Sequence, residues 1–324
     1  MTIEIVLPFY GEAALLREAV DSVLAQSDPD WRLTVLDDAY PDPAAAGWVA
    51  ELTDSRVQYV RNKVNLGVSG SFQKSVDLAT ADWVVIMGGD DRMLPGYVAR
   101  MNAMVAAHPD VAYVQPGVRV IDGDGQPANP MADRIKSLIR IDVDEPTVVD
   151  PKTMTESLLR GNWMYFPATC WNRPAVAAYG FEPRYTVVLD WLLQLRLLQD
   201  GGRVLLDPEV TFEYRRHAAQ VSTGAAFDFS RFHEEKALSL GMREVTGRRG
   251  WTRARRNAAW HLSSRLHALL TLGKLLVSGQ VRGTGALLTH VLTNRWPPGD
   301  WPAPDPEAGP PPTRRSAGAG ENVT

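Results

Sequence analysis

Apolar and amphipathic segments alternate through the first hundred residues of the chain. Residues 3–7, 31–36 and 83–87 are short, largely apolar runs. Such runs are typical of strands in a parallel sheet that is covered on both faces. Residues 13–26 separate the first two runs and place their apolar side chains at helical spacing. The alternation predicts βαβ units with right-handed crossovers, and therefore an α/β fold with helices on both faces of a mostly parallel sheet.

Polar residues follow the predicted strands at the point where each strand ends. Residues 37–38 are two aspartates, and residues 88–91 are Gly-Gly-Asp-Asp. Ligands of open α/β sheets bind in the crevice at the carboxyl ends of the strands. A carboxylate pair at this place suits a hard divalent cation, which can neutralise a diphosphate. The alternative is a polar turn in which Asp90 caps the next helix.

Composition and charge are those of an ordinary soluble globular protein. Charged residues make up 22% of the 324 residues, hydrophobic residues make up 45%, and the formal net charge is -4. This charge gives no reason to expect nucleic acid as a partner. Cys170 is the only cysteine, which excludes an internal disulfide and a thiolate metal cluster. No stretch reaches the roughly 18 to 20 apolar residues of a spanning helix, and no signal-peptide pattern opens the chain, so we expect a cytoplasmic protein.

Four features make the first hundred residues resemble the family 2 glycosyltransferases of the GT-A fold. In chain order they are Leu-Pro-Phe-Tyr at 7–10, Asp-Asp at 37–38, Asn65-x-Gly67 leading to Gln73, and Gly-Gly-Asp-Asp at 88–91 followed by Pro95. The resemblance implies a GT-A nucleotide-diphospho-sugar transferase fold and an inverting enzyme. It also implies a nucleotide-sugar donor, with UDP or dTDP as the nucleotide, and Mg²⁺ or Mn²⁺ on the donor diphosphate.

The resemblance also assigns roles to single residues. Asp38 is expected to recognise the base of the nucleotide, and Asp90 to bind the metal ion with His217 as a second ligand. Gly88 stands where the family often has a first aspartate, and Gln73 where asparagine is usual, so metal binding is expected to depend on the bound nucleotide. The residues expected to contact the nucleotide-sugar are Pro8, Tyr10, Glu12, Asp38, Asn65, Gly67, Gly89, Asp90, Arg215 and His217.

A further aspartate, Asp190, directly precedes the leucine-rich residues 192–198, which predict an amphipathic helix. By position alone, Asp190 could be the N-cap of that helix, a role worth about 1 kcal/mol. In the family that the chain resembles, the aspartate at this place is the general base that takes the proton from the acceptor hydroxyl. Leu189 replaces the acidic residue that often precedes it. We therefore expect Asp190 to be the catalytic base, a role that does not exclude capping.

Residues 214–222 follow the last predicted strand and resemble the family's loop over the donor diphosphate. Arg215, Arg216 and His217 lie in this segment. The departing nucleoside diphosphate gains negative charge, so cations beside it stabilise the transition state more than the ground state. Taken alone, such a basic cluster is typical of solvated surface.

The middle of the chain is expected to bind the acceptor, which could be a saccharide, a lipid-linked saccharide or a small natural product. Residues 111–120 predict two short strands around residues 116–117, and residues 127–151 show no clear period and predict a loop near the acceptor. Trp163 and Trp191 are the side chains expected to contact the acceptor. Aromatic residues also form cores, which is the alternative for both.

The last part of the chain is basic. Residues 245–299 contain no acidic residue, and arginines alternate there with leucines and tryptophans. This pattern predicts two or three amphipathic helices, interrupted near Gly279 and residues 283–285. Such helices suit the inner surface of an anionic membrane. The alternative is that their apolar faces pack on the catalytic domain or on a second copy of the chain in a homodimer.

These observations divide the chain into four regions and predict one activity. The regions are a nucleotide-sugar-binding half (1–115), an acceptor-binding and catalytic half (116–235), a basic helical extension (236–295) and a disordered tail (296–324). The predicted activity is inverting, metal-dependent sugar transfer to an acceptor hydroxyl. A nucleotidyltransferase is one rival, but its basic, glycine-rich loop after the first strand is missing. A catalytically silent nucleotide-sugar binding module or assembly subunit is the other, favoured by the absence of acids at Gly88 and Leu189.

Overall fold

The computed structural model describes residues 1–42, 44–216, 230–279, 283–295 and 297. His217 lies outside the described residues, and so does the predicted tail apart from residue 297. The expectations placed on those residues therefore stay predictions.

In the part of the chain that the structure describes, the strands form a nine-stranded sheet. Its strand order is β3-β2-β1-β4-β8-β6-β9-β5, and β7 pairs with β9. The strands β3, β2, β1 and β4 are mutually parallel, whereas β8 is antiparallel to both of its neighbours. The strands are β1 (Ile3–Phe9), β2 (Trp31–Asp37), β3 (Val57–Arg61), β4 (Trp83–Ile86), β5 (Arg92–Met93), β6 (Val111–Ile121), β7 (Thr147–Val149), β8 (Cys170–Asn172) and β9 (Arg203–Arg215).

Helices follow most of the strands, and together with the sheet they confirm the predicted α/β fold. They are α1 (Ala13–Leu24), α2 (Ala44–Ala50), α3 (Gly67–Leu78), α4 (Tyr97–Ala107), α5 (Met131–Ile139), α6 (Pro151–Leu158), α7 (Arg173–Tyr179), α8 (Leu189–Gln199), α9 (Ser230–Arg248), α10 (Thr252–Trp260), α11 (Leu262–Val277) and α12 (Thr284–Leu292). A short 3₁₀ turn covers Phe166–Ala168.

Two large apolar clusters cover the sheet, one on each face. Ile5 and Leu7 of β1 belong to one cluster, and Val6 between them belongs to the other. Successive side chains of a strand point to opposite faces, so a strand that is buried on both faces must be largely apolar. This is why the continuous apolar runs of the sequence become the central strands.

Two sequence predictions for the middle of the chain are wrong. The two short strands expected in residues 111–120 are one strand, β6, whose register with β9 shifts around Gly117. A side chain at Gly117 would come within 2.6 Å of the carbonyl oxygen of Pro208, so the two backbones approach closely there. The loop expected in residues 127–151 contains helix α5 and strand β7. Elements of nine and three residues are too short to show a clear period.

The C-terminal helices are joined to the rest of the fold by α9. This helix is buried on nearly all sides, and its Phe232 packs with Ala268 and Leu272 of α11 and Leu287 of α12. The inner faces of α11 and α12 thus pack on the protein, as one of the two sequence alternatives predicts, while many leucines on their outer faces stay exposed. Among the residues that the structure describes, no helix is long and apolar enough to cross a membrane.

Candidate active site

The candidate site lies where three neighbouring parallel strands end. Phe9 at the end of β1 is paired with Asp37 at the end of β2, and β4 ends beside β1 on its other edge. The segments that leave these strands are therefore neighbours at the carboxyl edge of the sheet, as the sequence predicts.

Both aspartates after β2 are buried and hydrogen-bonded within the protein. Asp38 accepts hydrogen bonds from the backbone amides of Leu66 at 2.8 Å and Gly67 at 3.0 Å, and from the Asn62 side chain at 2.7 Å. Asn65 accepts a bond from the same Gly67 amide at 2.7 Å. The structure thus brings Asp38, Asn65 and Gly67 together, with the Asp38 carboxylate shaping the turn that opens α3.

An exposed aromatic pair lies next to these aspartates. Tyr10 is 56% exposed and meets the ring of Tyr40 edge-on, with ring centroids 5.2 Å apart. Tyr40 is itself held in place, because its backbone amide donates to Asp37 at 2.8 Å. Tyr40 was not among the residues expected at the site, although it follows the aspartate pair by two positions. Of the other expected donor contacts, Pro8 lies within β1 and Glu12 is exposed just before α1.

The turn after β4 brings two carboxylate oxygens to one point. A β-carbon built on Gly88 would lie 2.6 Å from Oδ2 of Asp91 and 2.8 Å from Oδ1 of Asp90. Asp91 is 1% exposed, and its Oδ2 has no hydrogen-bond partner among the described residues. Burial, and then the neighbouring charge of Asp90, hold the pKa of Asp91 well above its usual range. A buried charged carboxylate beside a second carboxylate is costly unless a cation neutralises it.

This arrangement fits the divalent cation that the family resemblance implies. Asp90 and Asp91 would hold it, in the space that a side chain at residue 88 would fill. Within the described part of the chain, no cluster of three or more acidic, histidine or cysteine side chains is suited to a metal ion. The remaining ligands would therefore include the oxygens of a bound diphosphate or water.

The structure corrects the role expected of Arg215. This side chain is 1% exposed and lies inside the protein, where Nε donates to the carbonyl oxygen of Asp90 at 2.7 Å and Nη2 donates to Glu18 at 2.6 Å. Its backbone amide donates to Oδ1 of Asp91 at 2.9 Å. Arg215 therefore holds the aspartate turn from inside the protein and does not face a ligand. Neighbouring side chains of a strand point in opposite directions, so Arg216 points the other way.

Arg216 belongs to a polar cluster with residues of α5. Its guanidinium makes a two-bond contact with Asp133, at 2.9 and 3.0 Å, and Asp133 also accepts a bond from the Tyr165 hydroxyl at 2.8 Å. Lys136 lies 4.1 Å above the Tyr165 ring and donates to the carbonyl oxygen of Met164 at 2.9 Å. Burial, and then the charge of Arg216, lower the pKa of Lys136 to about 7.

Asp190 lies in the first turn of α8, beside this cluster. Val188 is the N-cap residue, so the structure does not support the simple capping alternative for Asp190. The Asp190 carboxylate accepts a hydrogen bond from the Asn162 side chain at 3.1 Å. Burial raises the pKa of Asp190, while the charge of Lys136 and the Asn162 bond act in the opposite direction. Burial thus makes it a stronger base than an ordinary aspartate.

The structure does not place Trp163 and Trp191 on an open acceptor surface. Each is only 6% exposed, and both belong to the same apolar cluster beneath the sheet. Nε1 of Trp163 donates to the Ser157 hydroxyl at 3.0 Å. Helix α8 is buried on almost every side, so Trp191 packs inward whatever its position on the helix. The core alternative was the better interpretation for both residues.

Comparisons with known proteins agree with this geometry. Residues 4–162 match the family model described as glycosyl transferase family 2. The protein EpsE of Bacillus subtilis is 28% identical over 126 residues, which are 38% of this chain and 45% of EpsE. The match therefore spans less than half of the length of that relative.

Solved structures share the fold across most of the chain. TarS of S. aureus in complex with UDP-GlcNAc superimposes with a TM-score of 0.65 at 11% identity, covering 90% of this chain and 82% of that one. The mannosyltransferase PcManGT of Pyrobaculum calidifontis, in complex with GDP-Man and Mn²⁺, gives a TM-score of 0.57 at 18% identity, covering 89% and 78%. The GT-A fold expected from the sequence is thereby confirmed.

The space above Gly88 can be tested with a single methyl group. We expect Gly88→Ala to weaken Mn²⁺ binding roughly ten- to a hundredfold, because the added carbon forces the carboxylates of Asp90 and Asp91 apart. Electron paramagnetic resonance of free Mn²⁺ during a titration measures the affinity.

Gly96→Ala is the matched control, since nothing lies within 4 Å of a β-carbon at Gly96. Equal Mn²⁺ affinity in wild type and Gly88→Ala would show that the two carboxylates do not hold the ion.

Proposed function

We propose that the chain is an inverting transferase that moves a sugar from a nucleotide-diphosphate donor to an acceptor hydroxyl, because its residues 4–162 match the family model described as glycosyl transferase family 2. The observation that carries the proposal is the convergence of Asp90 and Asp91 above Gly88 at the carboxyl edge of the sheet. A pair of converging carboxylates with room for a cation suits a diphosphate site. The complexes of TarS with UDP-GlcNAc and of PcManGT with GDP-Man and Mn²⁺ support it.

We assign the donor to residues 1–115, with UDP or dTDP as the nucleotide. Its base would lie against Tyr10 and Tyr40, beside the turn that Asp38 shapes, and its diphosphate would lie at Asp90 and Asp91. Mg²⁺ or Mn²⁺ bound there would neutralise the diphosphate and stabilise it as a leaving group. Arg216, which directly follows β9, is the arginine that would add to that charge stabilisation, rather than the buried Arg215.

We assign the proton transfer to Asp190. Its carboxylate would accept the proton of the acceptor hydroxyl as the acceptor oxygen attacks the anomeric carbon on the face opposite the diphosphate. The Asn162 side chain orients this carboxylate, and the Lys136 ammonium favours its charged form. No covalent enzyme intermediate is needed, because the acceptor displaces the leaving group directly. The acceptor would enter over α5 and Asn162, within residues 116–235.

The test of this function is the substitution Asp190→Asn. We expect it to reduce sugar transfer about a hundred- to ten-thousandfold, because a positioned general base typically contributes that much. Donor affinity should stay within a factor of about two, since Asp190 lies outside the region assigned to the donor. The assay follows nucleoside diphosphate release from UDP- and dTDP-sugars in the presence of alkyl glycosides, with calorimetry of UDP as the binding control.

A pH profile adds a second arm to the same test. Burial raises the pKa of Asp190, so the acid limb of kcat/KM should lie above the ordinary aspartate value of about 3.9. Lys136→Ala removes a positive charge and should move that limb to higher pH, whereas Lys152→Ala, at an exposed lysine of α6, should not move it. If wild type and Asp190→Asn bind UDP equally but neither transfers sugar, the silent binding module becomes the better account.

We further propose that the protein works in the cytoplasm, at the inner face of the cell membrane. The supporting observation is a leucine stripe on the outer side of the last two helices. Leu262, Leu266, Leu269 and Leu276 follow one another along the exposed side of α11, and Leu288 and Leu292 are exposed on α12. The opposite side of α11 is already packed on the protein, so this stripe is a separate apolar surface.

Charge favours an anionic lipid surface as the occupant of the leucine stripe. Residues 245–299 contain no acidic side chain, and this part of the chain carries exposed cations, Arg253 and Arg256 on α10 and Lys274 on α11. Each cation near an anionic membrane adds about 1 kcal/mol of attraction. A second copy of the chain would bring an equally basic surface to its partner, and this repulsion opposes a dimer through the stripe.

Flotation with vesicles tests the membrane proposal. We expect the protein to float with phosphatidylglycerol-containing vesicles, less at high salt, and not with pure phosphatidylcholine. Leu266→Gln combined with Leu269→Gln should abolish flotation. Leu138→Gln is the matched control, because Leu138 is an exposed leucine on α5.

Two results would contradict the membrane proposal. One is flotation that does not change in the double variant. The other is a wild-type dimer in analytical ultracentrifugation that the double variant converts to a monomer without any loss of lipid binding, which would assign the stripe to a second copy.

A further inference from the structure

The segment that leads into the Asp190 helix has no side-chain cap of its own. Helix α8 begins at Leu189, and its N-cap residue, Val188, cannot accept a hydrogen bond through its side chain. The backbone amides of Thr186, Val187 and Val188 directly precede the helix and need an acceptor from elsewhere in the protein. Residues 180–188, which precede α8, are without regular secondary structure. The position of Asp190 therefore depends on what holds this segment.

Glu234 of α9 supplies the missing acceptor. Its carboxylate accepts hydrogen bonds from the backbone amides of Thr186 at 3.1 Å, Val187 at 2.7 Å and Val188 at 3.1 Å. It also accepts one from the Thr186 hydroxyl at 2.8 Å. Glu234 is 2% exposed, so both of its oxygens are used inside the protein. A carboxylate at this place satisfies the free amides and also interacts favourably with the helix dipole.

The other end of the segment is tied to the donor half of the fold. The Gln73 side chain on α3 accepts a bond from the Phe181 amide at 2.9 Å, and the Ser69 hydroxyl donates to the carbonyl oxygen of Glu182 at 3.3 Å. Gln73 stands where the related sequences usually have asparagine, and its longer side chain spans this gap. The segment before Asp190 is thus held at one end by α3 and at the other by α9.

We propose that Glu234 is a positioning residue for sugar transfer, which places the Asp190 carboxylate by capping the segment before α8. This inference rests on the proposed role of Asp190 as the base. Glu234 lies outside the region that matches the family model, so its role is a contribution of the C-terminal helices to the chemistry. A displacement of about 1 Å at a reacting group can cost roughly a hundredfold in rate.

The test compares Glu234 with its neighbour Glu235 in the full chain. Glu235 is on the same helix and is also buried, but it pairs with Arg231 at 2.8 Å instead of capping the segment. In Glu234→Ala, hydrogen exchange at amides 186–188 should become fast, and kcat should fall roughly a hundredfold while the donor KM stays within a factor of about two. Glu234→Gln keeps one oxygen acceptor and should recover much of both losses. Glu235→Ala should change neither the hydrogen exchange at amides 186–188 nor kcat.

The outcomes separate the positioning role from a general structural one and from failure of the proposed function. Unchanged exchange at 186–188 in Glu234→Ala would overturn the proposal. Equal losses in Glu235→Ala, or a fall in donor affinity that matches the fall in kcat, would also overturn it, because general destabilisation would then explain the effect. If wild type turns over no donor, the proposed function fails, and the exchange comparison with Glu234→Gln alone decides whether Glu234 caps the segment.

Discussion

The carboxylate pair after β4, in which Asp91 is buried and Asp90 is partly exposed, is the constraint on which the rest of the candidate site depends. Asp91 cannot reach water, and its charge lies beside that of Asp90. The fold keeps this unfavourable pair in place with Arg215, which reaches from β9 and bonds to the backbone of the turn. Gly88 leaves the space between the two carboxylates open. An acidic turn with this space between its carboxylates suits the cation that we propose for the site.

The same strand that holds the aspartate turn also connects it to the proposed base. Arg215 points into the protein beneath Asp90, while Arg216 points toward Asp133 and the residues of α5. Burial, and then the charge of Arg216, lower the pKa of Lys136, and the charge of Lys136 favours the charged form of Asp190. Alternation along one strand therefore links the two ends of the site. The aspartate turn and Asp190 lie on different elements. This link between them is consistent with both acting on one substrate.

The sequence was sufficient for the parts of the fold that depend on local patterns. Continuous apolar runs predicted the central strands because a strand buried on both faces has no polar position, and the Gly-Gly-Asp-Asp turn after β4 was apparent from its order alone. The direction of single side chains could not be predicted. Arg215 and Arg216 are adjacent and chemically identical, and only the register of β9 decides which one is buried. Trp163 and Trp191 were expected to contact the acceptor. Their burial could not be predicted, because it depends on packing partners that are distant in the chain.

Long-range contacts explain why the roles of Glu234 and Asp91 were not predicted from the sequence. Glu234 is 46 residues from Val188, and nothing near it in the sequence indicates that its carboxylate caps another helix. Asp91 was part of the aspartate pair, but its unpartnered oxygen became visible only once the turn and β9 were placed together. Helix α5 was missed for a simpler reason, since nine residues give little more than two turns of periodicity.

The central claim is that the carboxylates after β4 hold a cation that binds a nucleoside diphosphate. The most direct measurement is calorimetric titration of UDP and dTDP into the protein with Mn²⁺ and again with EDTA, for wild type, Asp91→Asn and the exposed-loop control Asp124→Asn. We expect wild type and Asp124→Asn to bind one of the nucleotides only with Mn²⁺, and Asp91→Asn to lose that binding. Equal nucleotide binding with EDTA, or Mn²⁺-dependent binding that Asp91→Asn retains in full, would contradict the account.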